Sequence, residues 1–185
     1  GSDVHYFSTG KIGSLVVEFP FTLGHEGAGI VEAVGNAVTT VQVGDKVVIE
    51  PSWSCGECEQ CKANRPHTCI NNRFLGCPGQ MEGNLSEYIV MPETQCIKLS
   101  SKLTLEDGAL SEPLSIGLYA NKLANYKANS SVAILGFGPI GMSVLLTSQA
   151  TTPGKYFVSD KIDQRLELGK KVGAEIAVNP LNKDF

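Results

Sequence analysis

The sequence predicts an α/β protein with a β domain: a loop-rich, all-β part over residues 1–112, then the first half of a doubly wound α/β domain over residues 113–185. Three observations predict this. Residues 21 to 50 alternate apolar and polar side chains between glycines, as half-buried strands do. Residues 52 to 84 are polar and Cys-rich and show no periodicity, which reads as a loop lobe. From Ser131 onward the pattern runs strand, helix, strand, helix, strand, with crossovers long enough for a parallel sheet.

Taken in order, GAGIVEAVG carries an apolar alternation, and VQVGDKVVIEP follows a Gly-Asp turn into a second strand. LSEYIVMPE and QCIKLS predict two further short strands. The pattern turns helical at TLEDGALSEPLSIGLYANKL. Thr104 is placed to cap that helix, and Asp107 to return the bond where a Glu is more usual. SVAILG is a buried strand, PIGMSVLLTSQA a helix, KYFVSD a strand, DQRLELGKKVG a helix and AEIAV a strand. Three strands and two helices leave one apolar edge open, to be covered by another chain or by sequence beyond Phe185.

Composition narrows the function. A net charge of −4 with no Lys/Arg run argues against nucleic-acid binding. No apolar stretch is long enough to span a bilayer, and the given N-terminal residues show no positively charged, then apolar, signal pattern. The expectation is a cytoplasmic protein, with no membrane partner.

Cys55, Cys58, Cys61 and Cys69 follow C-x2-C-x2-C-x7-C, within a lobe expected at residues 52–75. Four thiolates on one tight loop close a tetrahedron and leave no open position, so the zinc they imply is structural. An iron–sulfur cluster fits less well, because its last gap is three and a Pro follows, whereas here the gap is seven and Ile70 follows. Disulfides suit a secreted mini-protein better than this chain. Cys77 and Cys96 fall outside the spacing and read as ordinary thiols, Cys96 within a strand.

Gly136-x-Gly138-x-x-Gly141 follows a buried strand and opens a helix, with Pro139 at the first helical position and Asp160 at the end of the next strand. That context points to dinucleotide binding. Gly136 makes the turn, Gly138 admits a pyrophosphate to the helix end, and Gly141 lets helix and strand pack closely; Ile140 lies inside the loop. Asp160 would bind the ribose hydroxyls and repel a 2′-phosphate, which favours NAD; the neighbouring Lys161 pulls mildly the other way.

Gly24-His25-Glu26 forms a third group. In a regular strand His25 and Glu26 would face opposite sides, so joint action needs a bend, and Gly24 and Gly27 flank the pair. An imidazole with a carboxylate suits zinc, although such a pair is also common as plain structure. Glu112 sits at the domain junction, where a carboxylate is most often a surface or capping residue. His67 is expected to be exposed.

Together these pieces resemble the medium-chain zinc-dependent alcohol dehydrogenase family. GHEGAGIVEAVGNAV fits its pattern G-H-E-x2-G-x5-G-x2-V, the four-cysteine lobe follows, and G-x-G-x-x-G comes after that, in the family's order over essentially all 185 residues. The opening GSDVHYF, the acidic GHE and SEPLSIG look most like the polyol branch of sorbitol and xylitol dehydrogenases. Threonine and butanediol dehydrogenases are near neighbours.

The resemblance implies a GroES-like fold up to residue 112 and a Rossmann NAD-binding domain after it. It implies a catalytic zinc on His25 and Glu26, with Glu112 near the metal as an occasional or water-mediated ligand. Ser2 and His5 fall where the family relays a proton by way of the cofactor ribose, and Tyr6 where it lines the substrate pocket. It also implies a parent about twice this length, a dimer or tetramer, with a further cysteine ligand just before Gly1. The expected function is hydride transfer between a polyol or secondary alcohol and NAD, weak or absent in residues 1–185 alone. The alternatives are an L-threonine or 2,3-butanediol dehydrogenase and a non-catalytic, zinc-stabilised binding module.

Overall fold

A helix opens the chain, which corrects the all-β expectation for the first part. The computed structural model describes residues 1–182, and in it α1 spans Ser2–Thr9. Asp3 sits in its first turn, where a carboxylate suits the positive helix end. The N–H of Gly10 closes the last turn on the Tyr6 carbonyl at 2.8 Å. Tyr6 is the buried side chain of this helix. One buried residue in eight makes no apolar stripe, so periodicity could not announce it.

The chain divides into two compact units, Gly1–Glu112 and a second that begins at Pro113. In the first, β1 (Lys11–Ile12) and β2 (Leu15–Val16) form a short hairpin. β3 (Ala28–Ile30), β4 (Lys46–Ile49) and β7 (Cys96–Lys98) form an antiparallel sheet in the order β3-β4-β7. Its register sets Ala28 opposite Val48 and Ile49 opposite Cys96. Val47 and Ile49 bury one face of β4 against Val41 and Leu75. β5 (Ser52–Trp53) pairs with β6 (Arg73–Phe74) and closes the base of the cysteine lobe. Within the lobe, α2 spans Glu59–Lys62. α3 (Leu105–Ala109) carries the capping box: Thr104 accepts from the Asp107 N–H at 3.1 Å, and Asp107 accepts from the Thr104 N–H at 2.9 Å.

The strand expected at LSEYIVMPE does not form. A ladder needs a neighbouring strand, and none of the described strands pairs with residues 86–91. Residues 83–85 instead run beside 22–24: the N–H groups of Gly83 and Leu85 reach the carbonyls of Thr22 and Leu23 at 2.7 and 2.9 Å. Tyr88 and Val90 are exposed.

The second unit follows the alternating pattern. α4 (Ser111–Ala124) leads into it, and β8 (Ser131–Leu135), α5 (Pro139–Thr151), β9 (Lys155–Ser159), α6 (Asp163–Lys171) and β10 (Ile176–Val178) follow. The sheet is parallel, in the order β10-β9-β8. Its core joins Ile134, Phe137, Leu145, Tyr156, Val158 and Leu166, with Phe137 and Leu145 fully buried. Leu135, at the end of edge strand β8, is 84% exposed. Among the described residues no helix is long and apolar enough to cross a membrane.

Candidate metal centre and nucleotide loop

His25 and Glu26 lie in irregular chain just before β3. Gly24 supplies the bend with φ +103°, a backbone that side-chain-bearing residues rarely adopt. As a result the ligand atoms of His25, Glu26 and Glu112 lie within 4.8 Å of one another. Glu112 comes from the first turn of α4. Its burial pushes the carboxyl above the usual range; His25 pulls it down, while Glu26 and Glu50 push it further up. Mutual repulsion of this kind among carboxylates is what a bound cation relieves. An imidazole and two carboxylates are an acceptable zinc donor set, so the residues present fit the metal.

α1 supports the centre from the side. Asp3 accepts from the Gly24 N–H at 3.1 Å and lies 3.5 Å from His25 Nδ1. A carboxylate on Nδ1 leaves Nε2 with the lone pair for a metal. The Phe74 ring packs near the imidazole, 5.5 Å between centroids and tilted by 54°. Sequence reasoning missed Asp3, although it stands in the G-S-D-x-H stretch beside the residues that were chosen. Ser2 is half-buried and His5 exposed, one helical turn apart on α1. Tyr6 is buried, and its hydroxyl is pushed up by that burial, with Cys77 and Asp3 adding to it.

The four lobe cysteines converge. Cys58 lies 3.5 Å from Cys61 and 3.9 Å from Cys69, and Cys69 lies 3.5 Å from Cys55, sulfur to sulfur. All are free thiols, far beyond the disulfide bond length of about 2.05 Å. Zinc–sulfur bonds of about 2.3 Å in a tetrahedron set sulfurs about 3.8 Å apart, so this cage fits zinc. The N–H groups of Cys61 and Ile70 hold the Cys58 thiol down at about 6. The N–H groups of Glu57 and Cys58 lower Cys55. Burial pushes Cys61 up to about 11. Cys77 and Cys96 stand apart from the cage, each half-buried with its thiol raised by burial. His67 is exposed.

In the second unit Gly136 turns the chain with φ +94°, and α5 starts at Pro139. A side chain at Gly141 would stand 2.1 Å from the Gly136 carbonyl, so only glycine lets the helix approach the strand. Asp160, at the end of β9, accepts from the N–H groups of Phe137 at 2.7 Å and Ile162 at 2.9 Å, and lies 3.3 Å from Arg165. The Ile162 N–H, then those of Phe137 and Arg165, hold its carboxyl below the usual range against the effect of burial. Arg165, which the motif does not mention, also comes within 3.6 Å of where a side chain at Gly138 would sit. Lys161 is exposed. The loop thus offers a free helix N-terminus with one cation and one carboxylate beside it.

The alcohol dehydrogenase GroES-like domain family matches residues 1–101, more than half of the chain. The chain belongs to this family. Sorbitol dehydrogenase of Bacillus subtilis (strain 168) is 40% identical over 184 residues, which is 100% of this chain and 52% of that protein. The crystal structure of L-idonate 5-dehydrogenase from Escherichia coli str. K-12 substr. MG1655 superposes with a TM-score of 0.93 at 31% identity, covering 100% of this chain and 54% of that one. A structure described as a zinc-binding dehydrogenase from Sinorhizobium meliloti 1021, bound to NADP, matches with a TM-score of 0.84 at 35% identity, over 90% of this chain and 48% of its own. The chain therefore spans about half the length of the relatives it matches. Its architecture is a GroES-like domain followed by Rossmann-type α/β structure, as this family has.

Proposed function

We propose that this chain carries the metal centre and the first nucleotide-binding half of a zinc-dependent oxidoreductase that moves a hydride between a polyol or secondary alcohol and NAD. The single observation that carries the reading is the convergence of His25, Glu26 and Glu112, with Asp3 on the far nitrogen of His25. It is supported by the likeness to sorbitol and L-idonate dehydrogenases. Residues 1–112 form the catalytic domain and residues from 113 the nucleotide domain.

His25 and Glu26, with Glu112 close by, would hold zinc, which would supply a Lewis acid able to lower the pKa of a substrate hydroxyl. Asp3 keeps the imidazole in the tautomer that offers Nε2. Ser2 accepts the hydroxyl proton as it hands its own on toward His5, which stands one turn further in solvent and delivers a proton to water. Tyr6 walls the pocket as a neutral phenol, its raised pKa keeping it protonated at neutral pH. The glycine loop and the α5 N-terminus hold the pyrophosphate of the dinucleotide, and Asp160 selects the unphosphorylated ribose of NAD. Cys55, Cys58, Cys61 and Cys69 hold a separate, structural zinc; four free thiols suit a reducing compartment such as the cytoplasm. The oligomer is a homodimer or homotetramer of the longer protein.

The test is metal analysis and coenzyme reduction by this chain extended to the length of its relatives. Two zinc ions per chain and NADH formation with sorbitol or xylitol are expected, with little reduction of NADP. Oxidation of threonine or butanediol but no polyol would move the protein to the neighbouring branch. One zinc and no coenzyme binding would make it a non-catalytic module.

A further inference from the structure

Two glycines flank the His25–Glu26 pair, and they serve different ends. Gly24 is needed for its backbone, at φ +103°. Gly27 has no such requirement, because its φ lies outside the left-handed range. The three atoms nearest to a side chain there all belong to one neighbour. A Cβ at Gly27 would stand 2.2 Å from Asn84 Nδ2 and 2.9 Å from Asn84 Cγ, and no other residue supplies any of its nearest contacts. A Cβ at Gly24 would also meet this amide, 2.7 Å from Asn84 Oδ1, beside Leu85. The Asn84 side chain therefore lies across both glycines, with the ligand pair between them.

The backbone fastens the same segment. The Asn84 N–H donates to the Gly24 carbonyl at 3.0 Å, and Gly83 and Leu85 donate to Thr22 and Leu23. The carboxylate of Glu82 accepts from the Thr22 N–H. Asp3 takes the Gly24 N–H from the other side. Yet Asn84 Nδ2 is buried and has no hydrogen-bond partner among the described residues. A buried donor left unpaired is unfavourable, so hydrogen bonding does not account for the amide's place. Its shape against Gly24 and Gly27 does.

We propose that Asn84 is a positioning residue for the metal centre: its amide, laid over Gly24 and Gly27, holds the bend that turns His25 and Glu26 toward one ion. This rests on the reading of His25, Glu26 and Glu112 as metal ligands. Asn84 acts through the loop and touches neither metal nor substrate. The role is separable from plain stability because it lies in the spacing of two ligand atoms.

The test is titration of Co2+ into this chain extended to the length of its relatives, with the four-thiolate cage already filled with zinc, read by ligand-field absorption, with folding followed by circular dichroism. The wild-type chain takes up one Co2+ at the His25 centre. Asn84→Ala weakens that binding about tenfold and alters the absorption envelope, while the circular dichroism spectrum is unchanged. Gly27→Ala weakens it at least as much. Gly27→Ala/Asn84→Ala binds no worse than Asn84→Ala, because the atom that excluded the Cβ has gone. Should Asn84→Ala fail to fold, Asn84→Ser replaces it for the affinity and spectrum comparison alone, because its hydroxyl keeps an atom near the place of Cγ, 2.9 Å from a Gly27 Cβ.

Unchanged Co2+ affinity in a folded Asn84 variant overturns the proposal, as does a Gly27→Ala loss of equal size in both backgrounds. A lowered melting temperature with affinity and spectrum intact assigns Asn84 a structural role only and also overturns it. A wild-type chain that takes up no Co2+ at the His25 centre removes the metal reading itself, and this inference with it.

Discussion

At the residue scale, two carboxylates hold local structure, Asp3 at the metal centre and Asp160 at the nucleotide loop. Asp3 lies on His25 Nδ1 and on the Gly24 N–H, so it fixes both the imidazole and the bend beside it. Loss of such a partner commonly weakens metal binding 10- to 100-fold, roughly. Asp3→Asn is therefore expected to lower Co2+ affinity at the His25 centre about tenfold, in the titration used for Asn84, and to leave the four-thiolate site unchanged. Asp160 answers to pH. Hydrogen bonds from Ile162 and Phe137, with Arg165, hold its folded pKa below the unfolded value. Its stabilising contribution is then complete above the unfolded carboxylate pKa of about 4 and is lost as pH falls through the folded value. Urea unfolding of the wild type should weaken through that acid range more steeply than that of Asp160→Asn. Equal slopes would remove Asp160 as a contributor.

At the element scale, local chemistry decides where structure starts and stops. α3 begins where Thr104 and Asp107 exchange bonds with each other's backbone N–H groups. Thr104→Ala removes one side of that box and should cost about 1 kcal/mol of stability in urea unfolding, without moving Co2+ affinity. The lobe has a different logic. Its base is two residue pairs long, Ser52 with Phe74 and Trp53 with Arg73, with the Arg73 guanidinium 5.4 Å from the Trp53 ring. Such a base is too short by itself to order the 19 residues between its strands, so a metal in the thiolate cage is expected to supply the rest. Residues 86–91 show the converse. Their apolar alternation suits a strand, but pairing is a property of two segments, and the described residues provide no partner.

At the scale of the whole molecule, each of the two units is held together by its own means. The second has a continuous core from Ile134 to Leu166, centred on Phe137 and Leu145. The first has a smaller cluster around Val47, Ile49 and Leu75, and its lobe gathers four cysteines into a cage that fits zinc. A chelator that strips the four-thiolate site should therefore abolish amide-exchange protection within the lobe while leaving β8 and β9 protected. Protection of the lobe that survives zinc removal would show that its chain folds without the metal. The parallel sheet ends at β8 on one side, where Leu135 is exposed and no described strand pairs beyond it.

What the sequence determined by itself is whatever depends on short-range spacing. The cysteine cage, the glycine turn of residues 136–141, the capping box and the alternation of strands and helices after Ser131 are all set by residues a few positions apart. The bend at Gly24 was legible for the same reason, since a strand cannot turn His25 and Glu26 to one side. Only the tertiary structure decided the rest. It brought Glu112 to His25 across 87 positions, an approach that only the family resemblance had implied, set Asp3 on the far nitrogen and laid Asn84 over Gly24 and Gly27. It also made α1 a helix and left residues 86–91 unpaired. Contacts of that kind form between segments far apart in the chain, so no local period carries them.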